Sequence, residues 1–187
     1  MRINAFTAAI LSVATAGLLT ACGQKQGIAP ERMADAIFAV IEADRASYTN
    51  NVVNRLQNEE KVIKADEHWK DNKALPLPAQ MMRMGAERVA EQESGFTYAL
   101  LSLWAINKQN KPRTELEKQG LEFIIDNPGQ NFYGSETLGD TQYFTAIYPD
   151  VAVSPACVSC HNDHIDSPRT DFELGETMGG VVIRIPL

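Results

Sequence analysis

Apolar residues at Met33, Ile37, Ile41, Tyr48, Val52 and Leu56 recur at steps of four and seven, with Glu, Asp, Arg and Asn between them. This spacing predicts a helix from about residue 31 to 65, opened by Pro30 and carrying one apolar stripe that must pack on something. The segment "NKALPLPAQ" ends it, because two prolines two residues apart favour extended backbone. A second helix is predicted from Ala79 to about Gln92, "AQMMRMGAERVAEQ".

Beyond it the pattern changes. "GFTYALLSLWAIN", Gly95 to Asn107, is aromatic and apolar between a Gly and an Asn and reads as a buried strand. After the loop "NKQNKPRT", Thr114 is placed to cap a third helix through Ile125, with Glu117 as the capping-box partner three residues on. "NPGQNFYG" turns into "TQYFTAIYP", where Tyr143, Thr145 and Ile147 alternate with Gln142, Phe144 and Ala146 as in a strand. "MGGVVIRIPL" is a final β-branched strand, with Gly179 and Gly180 where another group can approach the backbone closely. No repeat or low-complexity tract interrupts this order, which predicts an α+β domain on an antiparallel sheet.

The N-terminus has a different character. Arg2, the apolar run "AFTAAILSVATAGLL" and then "LTAC" make a targeting segment, too short for a spanning anchor and ending in small residues. Leu19, Thr20, Ala21 and Cys22 resemble the lipobox of bacterial lipoproteins. That resemblance implies a signal peptide at 1–21, lipidation of Cys22, and a periplasmic protein held at a bacterial membrane by acyl chains, each buried methylene contributing about 0.8 kcal/mol. Gly23 lacks the aspartate that commonly retains lipoproteins in the inner membrane, which points to the outer membrane. Residues 22–30, "CGQKQGIAP", suit a tether, leaving 31–187 as one folded domain.

The whole chain has 17 Lys+Arg against 24 Asp+Glu, a net charge of −7 that becomes −8 once Arg2 leaves with the signal segment. Such a surface disfavours nucleic acid and polybasic lipid contact, and leaves partners with basic faces, including redox proteins.

Two of the three cysteines and two of the three histidines fall within "SPACVSCHNDH", residues 154–164. In "CVSCH", two thiols three residues apart on a tight turn can each add to one of the two vinyl groups along one haem edge, and the following imidazole then lies under the iron. Cys157 and Cys160 are therefore the candidate thioether residues for one covalent haem c, and His161 the proximal ligand. Three other uses of these residues stay open at this stage. A disulfide between the cysteines gives His161 no role; zinc on Cys157, Cys160 and His164 wants a fourth ligand; and a thioredoxin-like pair is expected early in the chain, at a helix start after a strand.

The sixth iron position has weaker candidates. Met81, Met82 and Met84 lie together on the second helix, and thioether ligation raises the haem potential; methionines at this spacing also serve as core. His164, three residues beyond His161, falls on the same side of the ring and suits a propionate contact or a position on the loop surface. Arg83 suits a propionate or solvent. His68, in "ADEHWKD", reads as a solvated histidine.

The stretch from "YPDVAVSPACVSCHNDH" through "SPRTDFELGETMGGVVIRIPL", with "LPLPAQMMRMGAE" and "NKQNKPRTELEKQGLEF", resembles the extracytoplasmic single-haem c-type domains of PAS-like fold. These occur as small secreted cytochromes and as the sensing halves of membrane kinases and cyclases. The resemblance implies a central antiparallel sheet flanked by helices, with haem on Cys157, Cys160 and His161. Some members place Met and some Cys opposite the histidine; this chain has no further cysteine in 31–187 to supply one. With no kinase or cyclase segment evident, a signal would pass through a partner.

The expected function is electron transfer by a membrane-anchored periplasmic cytochrome, docking a redox partner on its acidic face. The alternative is a redox or diatomic-gas sensor acting through a partner such as a membrane signalling protein; on either reading the long N-terminal helix is a candidate homodimer surface. No enzymatic activity is expected, since peroxidase-like chemistry needs a distal acid/base group for which only His68 or Arg83 offers itself.

Overall fold

The computed structural model describes residues 27–187. The expected signal segment 1–21, the lipidation residue Cys22 and most of the tether lie outside the described residues. Among those described, no helix is long and apolar enough to cross a membrane.

Helix α1 (Pro30–Ser47) has proline in its first turn and continues without a break into a π-helical segment, Tyr48–Glu59. The helix expected to reach residue 65 thus stops earlier and changes pitch midway. Thr49 marks the change: its hydroxyl donates to the Arg45 carbonyl at 2.8 Å, competing for the acceptor that holds an α-helical turn together. The wider turns also shift the inward stripe, so that Thr49 and Val53 are buried while Tyr48 and Val52 are half-buried.

Helix α2 (Pro78–Glu91) follows the proline segment, and the Leu77 N–H donates to Gln80 Oε1 at 3.0 Å. Strand β1 (Thr97–Leu101) is shorter than the apolar run predicts. The chain leaves the sheet at Ser102, whose hydroxyl donates to the Met178 carbonyl at 2.6 Å and accepts from the Trp104 N–H at 3.0 Å. Helix α3 (Glu115–Asp126) has the expected reciprocal cap: the Glu117 N–H donates to Thr114 Oγ1 at 3.1 Å, and the Thr114 N–H to Glu117 Oε2 at 3.0 Å.

Strand β2 (Phe132–Leu138) occupies much of what reads as a turn in the sequence. It is an edge strand whose residues are half-buried or exposed, so it shows no apolar face. Strand β3 (Thr141–Val151), helix α4 (Pro155–Asp163) and strand β4 (Thr177–Pro186) complete the domain. The sheet is antiparallel in the order β1-β4-β3-β2. With helices on both faces and the long N-terminal helix, this is the expected α+β, PAS-like architecture.

The last strand in sequence is central in space. Val181, Ile183 and Ile185 pack with Ala146, Tyr148, Met82 and Ala34 beneath α1 and α2, and Val182 packs with Leu121, Ile124 and Ile147 beneath α3. Burial on both faces explains why β4 reads as a continuous apolar run. Gly180 leaves room there: a Cβ on it would lie 2.9 Å from side-chain atoms of Ile124, Ile147 and Leu121.

One irregularity shapes the site. Asp150 pairs with Gly179 but Val151 pairs with Thr177, so Met178 has no partner across the ladder. Bulges of this kind bend a strand and re-aim its side chains. Here the bulge frees the Met178 carbonyl for Ser102, at the sheet end where Asp150 meets Arg45 of α1.

Candidate cofactor-binding site

Helix α4 starts on Ser154, whose Oγ accepts from the Ala156 N–H at 3.2 Å, with Pro155 in its first turn. "CVSCH" therefore lies in a helix rather than in the tight turn expected. The consequence is geometric: Cys157, Cys160, His161 and His164, spaced three and four apart, fall on one helical face. That face lines a cleft. The α1 and π-helical face of Arg45, Thr49, Val53 and Gln57 also lines it, with Leu77, Gln80 and Arg83, the ends of β1 and β4 and parts of the loops at 65–67 and 105–110. The space between these atoms is about 1370 Å³ including the open mouth, and its lining combines an apolar majority with a few polar groups, as cofactor pockets do.

The thiols of Cys157 and Cys160 are both free. Burial pushes the Cys157 thiol above the usual range, against a smaller opposite pull from Arg45. Cys160 is solvent-accessible, yet the protein around it and then the neighbouring Cys157, Glu67 and Asp163 also hold its thiol high. The His161 imidazole is held below its ordinary basicity, first by burial and then by the charges of Arg45 and His164. A neutral imidazole is the form that binds a metal.

The α4 helix is fastened from behind. Asn162 Nδ2 donates to the Phe172 carbonyl, and the Phe172 N–H returns a bond to Asn162 Oδ1, each at 3.0 Å. The Phe172 ring meets His161 edge to face, at 5.8 Å between centroids. Arg169 lies over both Trp104 and Phe172, 4.8 and 4.4 Å from the ring centroids, and pairs with Asp171 and Glu176. The segment "SPRTDFELGE" thus orients the helix that carries His161. Trp104, Asn162, Arg169, Phe172 and Glu176 escape a reading of composition and periodicity, since contacts between loops leave no period.

The other candidates separate. Met82 is a core residue beneath α1, Met84 is exposed, and neither they nor Met81 line the cleft. Gln80 and Arg83 of the same helix do. The α2 stripe that meets the sheet takes Met82, and another stripe of the helix faces the cleft. Met178 also lines the cleft, but it belongs with Ala152 and Phe172 to the cluster on which Cys157 and Val158 rest. His164 lines the cleft and lies 3.9 Å from Glu67. His68 is exposed, 3.5 Å from the other Glu67 oxygen. Among the described residues no group of three His, Cys, Asp or Glu side chains is arranged to hold a metal ion by itself. The alternative zinc set of Cys157, Cys160 and His164 therefore does not converge.

An iron porphyrin fits what these residues do present. The two cysteines and His161 share one helix, apolar side chains supply much of the rest, and two buried polar atoms lack partners among the described residues: His161 Nδ1 and Arg45 Nε. Unpaired buried polar atoms are costly, and both belong to residues lining this one cleft.

No curated protein matches the chain. Among solved structures, the cyanobacterial heme-protein Tll0287 matches at 17% identity with a TM-score of 0.55, covering 84% of this chain and 96% of that one. At that identity the likeness establishes the fold. The Tll0287-like family profile matches residues 27–186, all but the last of the residues that form the domain just described, and the chain belongs to the Tll0287-like family.

Proposed function

We propose that this chain is an exported, lipid-anchored monohaem c-type protein of the periplasm that transfers electrons. The observation that carries the reading is the common face of Cys157, Cys160 and His161 on one wall of the cleft. The heme-protein description of Tll0287 supports the same cofactor for this family member. Bound there, haem supplies a one-electron iron centre.

The chain's own residues would do the rest. Cys157 and Cys160 each add S–H across a vinyl group, forming a C–S and a C–H bond with no oxidant required. His161 offers a neutral ring nitrogen, and Asn162 and Phe172 hold its helix. The solvent-accessible Cys160 side, flanked by Glu67 and Asp163, gives a basic redox partner an acidic face to approach.

A second reading, ligand sensing through a partner, is favoured by two observations. The methionines of α2 do not line the cleft, and the cleft wall is the segment where α1 changes to π pitch, a helical irregularity that concentrates at functional sites.

The first test is export of the full chain and its Cys157→Ala/Cys160→Ala variant, followed by denaturation. Haem should survive denaturation in the wild type only; covalent haem in the variant would refute the attachment site. Optical spectra of oxidised, reduced and carbon-monoxide-treated protein then separate the two readings. A sharp low-spin spectrum indifferent to carbon monoxide supports electron transfer, and prompt carbon monoxide binding supports sensing.

A further inference from the structure

We infer that Arg45 makes the cleft a small-anion site, its Nε–H donating to an exogenous anionic ligand at the haem iron. This inference rests on the haem reading and adds to it a ligand class and the residue that selects it.

Several of the cleft's polar side chains are already engaged. Thr49 Oγ1 is spent on the Arg45 carbonyl at 2.8 Å, and Gln57 Oε1 accepts the Ala65 N–H at 2.7 Å. Gln80 is engaged at both ends, accepting from Leu77 at 3.0 Å and donating to the Glu67 carbonyl at 2.7 Å. Ser102 both donates to Met178 and accepts from Trp104. Arg83 is half-exposed at the rim and pairs with Glu87. Arg45 differs from all of these. Its Nη2 is fixed by Asp150 Oδ2 at 2.9 Å with both side chains nearly buried, while its Nε is buried and has no partner among the described residues.

A guanidinium carries five N–H donors in a rigid fork, and anchoring one edge aims the remainder. Asp150 is that anchor, positioned by the bulge opposite Gly179 and Thr177. A buried donor left unpaired is expensive. An incoming anion satisfies it with a charge-assisted bond.

The location favours the iron over the propionates. Haem vinyl groups and propionates lie on opposite edges of the macrocycle, so a residue near the attachment cysteine and the proximal histidine is far from the propionate edge. Arg45 lines the same cleft as Cys157 and His161. It stands on the long helix, whereas the attachment cysteines and His161 stand on α4. Met81, Met82 and Met84 do not line the cleft, and Met178 packs under α4. No thioether on the long-helix wall competes for that side. An anion bound there would exchange for solvent at ferric iron with no change of oxidation state.

The test uses the full exported chain, purified in detergent with its haem and oxidised. Azide and fluoride are the anionic probes, and imidazole is the neutral one. Azide and fluoride should change the ferric spectrum of the wild type. Arg45→Gln and Arg45→Lys, which both lack the guanidinium Nε–H, should weaken azide on the order of tenfold or more, the range of a lost hydrogen bond to a charged group. Imidazole affinity should stay within about twofold, since a ligated imidazole offers no anion for that donor. The Lys variant retains the charge beside Asp150 and so keeps the test available where Gln fails to fold.

Wild-type ferric protein that ignores azide overturns the inference, as does unchanged azide affinity in either folded variant. A shifted propionate vibration with intact azide affinity also overturns it, by assigning Arg45 to the propionates. Absence of covalent haem in the wild type defeats the haem reading itself; bound haem without an anion effect defeats only this inference.

Discussion

Asn162 and Phe172 are joined by two reciprocal hydrogen bonds of 3.0 Å, side chain to backbone in both directions, ten residues apart. This clamp ties the helix carrying His161 to the loop whose aromatic ring supports it, and so couples the orientation of His161 to Phe172, which does not itself line the cleft.

Replacing Asn162 by Ala leaves a donor and an acceptor of Phe172 without partners in a half-buried setting. The expected cost is about 1–3 kcal/mol in denaturant unfolding. A broadened ferric spectrum, reporting a less constrained His161, should accompany it. Unchanged stability would mean that Phe172 and Arg169 hold α4 without the clamp.

Arg184 donates to Glu117 at 2.6 Å and to Glu136 at 2.9 Å, joining α3, β2 and β4 through three largely buried charges. Glu117 also completes the α3 cap. Arg184→Met strands both carboxylates and should destabilise by roughly 3–5 kcal/mol, whereas Thr114→Ala, which removes a cap alone, should cost about 1 kcal/mol. Equal effects in urea titrations would show that the charges contribute little beyond the cap.

A Cβ at residue 179 would sit 2.5 Å from the Leu101 carbonyl oxygen, which is backbone and cannot swing aside. Gly179→Ala should therefore separate β1 from β4 at the end of the sheet next to the cleft and cost about 1–3 kcal/mol. Backbone amide exchange at Leu101 and Ser102 should accelerate. Unaltered exchange there would exclude the close approach.

Asp66 accepts from the His68 N–H at 2.8 Å and from Asn72 at 2.9 Å, bracing a loop that contributes Ala65 and Glu67 to the cleft. These bonds, with Lys64, hold its carboxyl below the ordinary range. A depressed folded pKa means that the bracing is present above the unfolded value and lost as pH falls through the folded one. Hydrogen exchange corrected for intrinsic rates should show protection of 66–75 at neutral pH that declines in acid. Asp66→Asn should lose most of the neutral-pH protection, and an Asn variant with full protection would remove Asp66 from the account.

Much of this was open to the sequence. Residue types fix local geometry, so the Thr114–Glu117 cap and the helix beginning at Pro78 appear within a residue of their expected bounds. That Cys157, Cys160 and His161 share one site was also legible, because neighbours in so short a motif cannot separate. Where side-chain bonds override pattern, the reading failed. Thr49 gave the long helix a π pitch, Ser102 ended β1 early, and β2 lay hidden because an edge strand need not alternate.

What only the tertiary structure decided is which distant residues meet at the cleft. Arg45 and Asp150 are 105 positions apart, and nothing in either neighbourhood announces the other. The methionines passed over in favour of Gln80 and Arg83 illustrate the same point. A helix has several faces, and its docking on the sheet selects which one the cleft receives. Local sequence determined the elements and the reactive motif; packing across the sheet determined what surrounds that motif, because long-range contacts depend on how whole faces bury together.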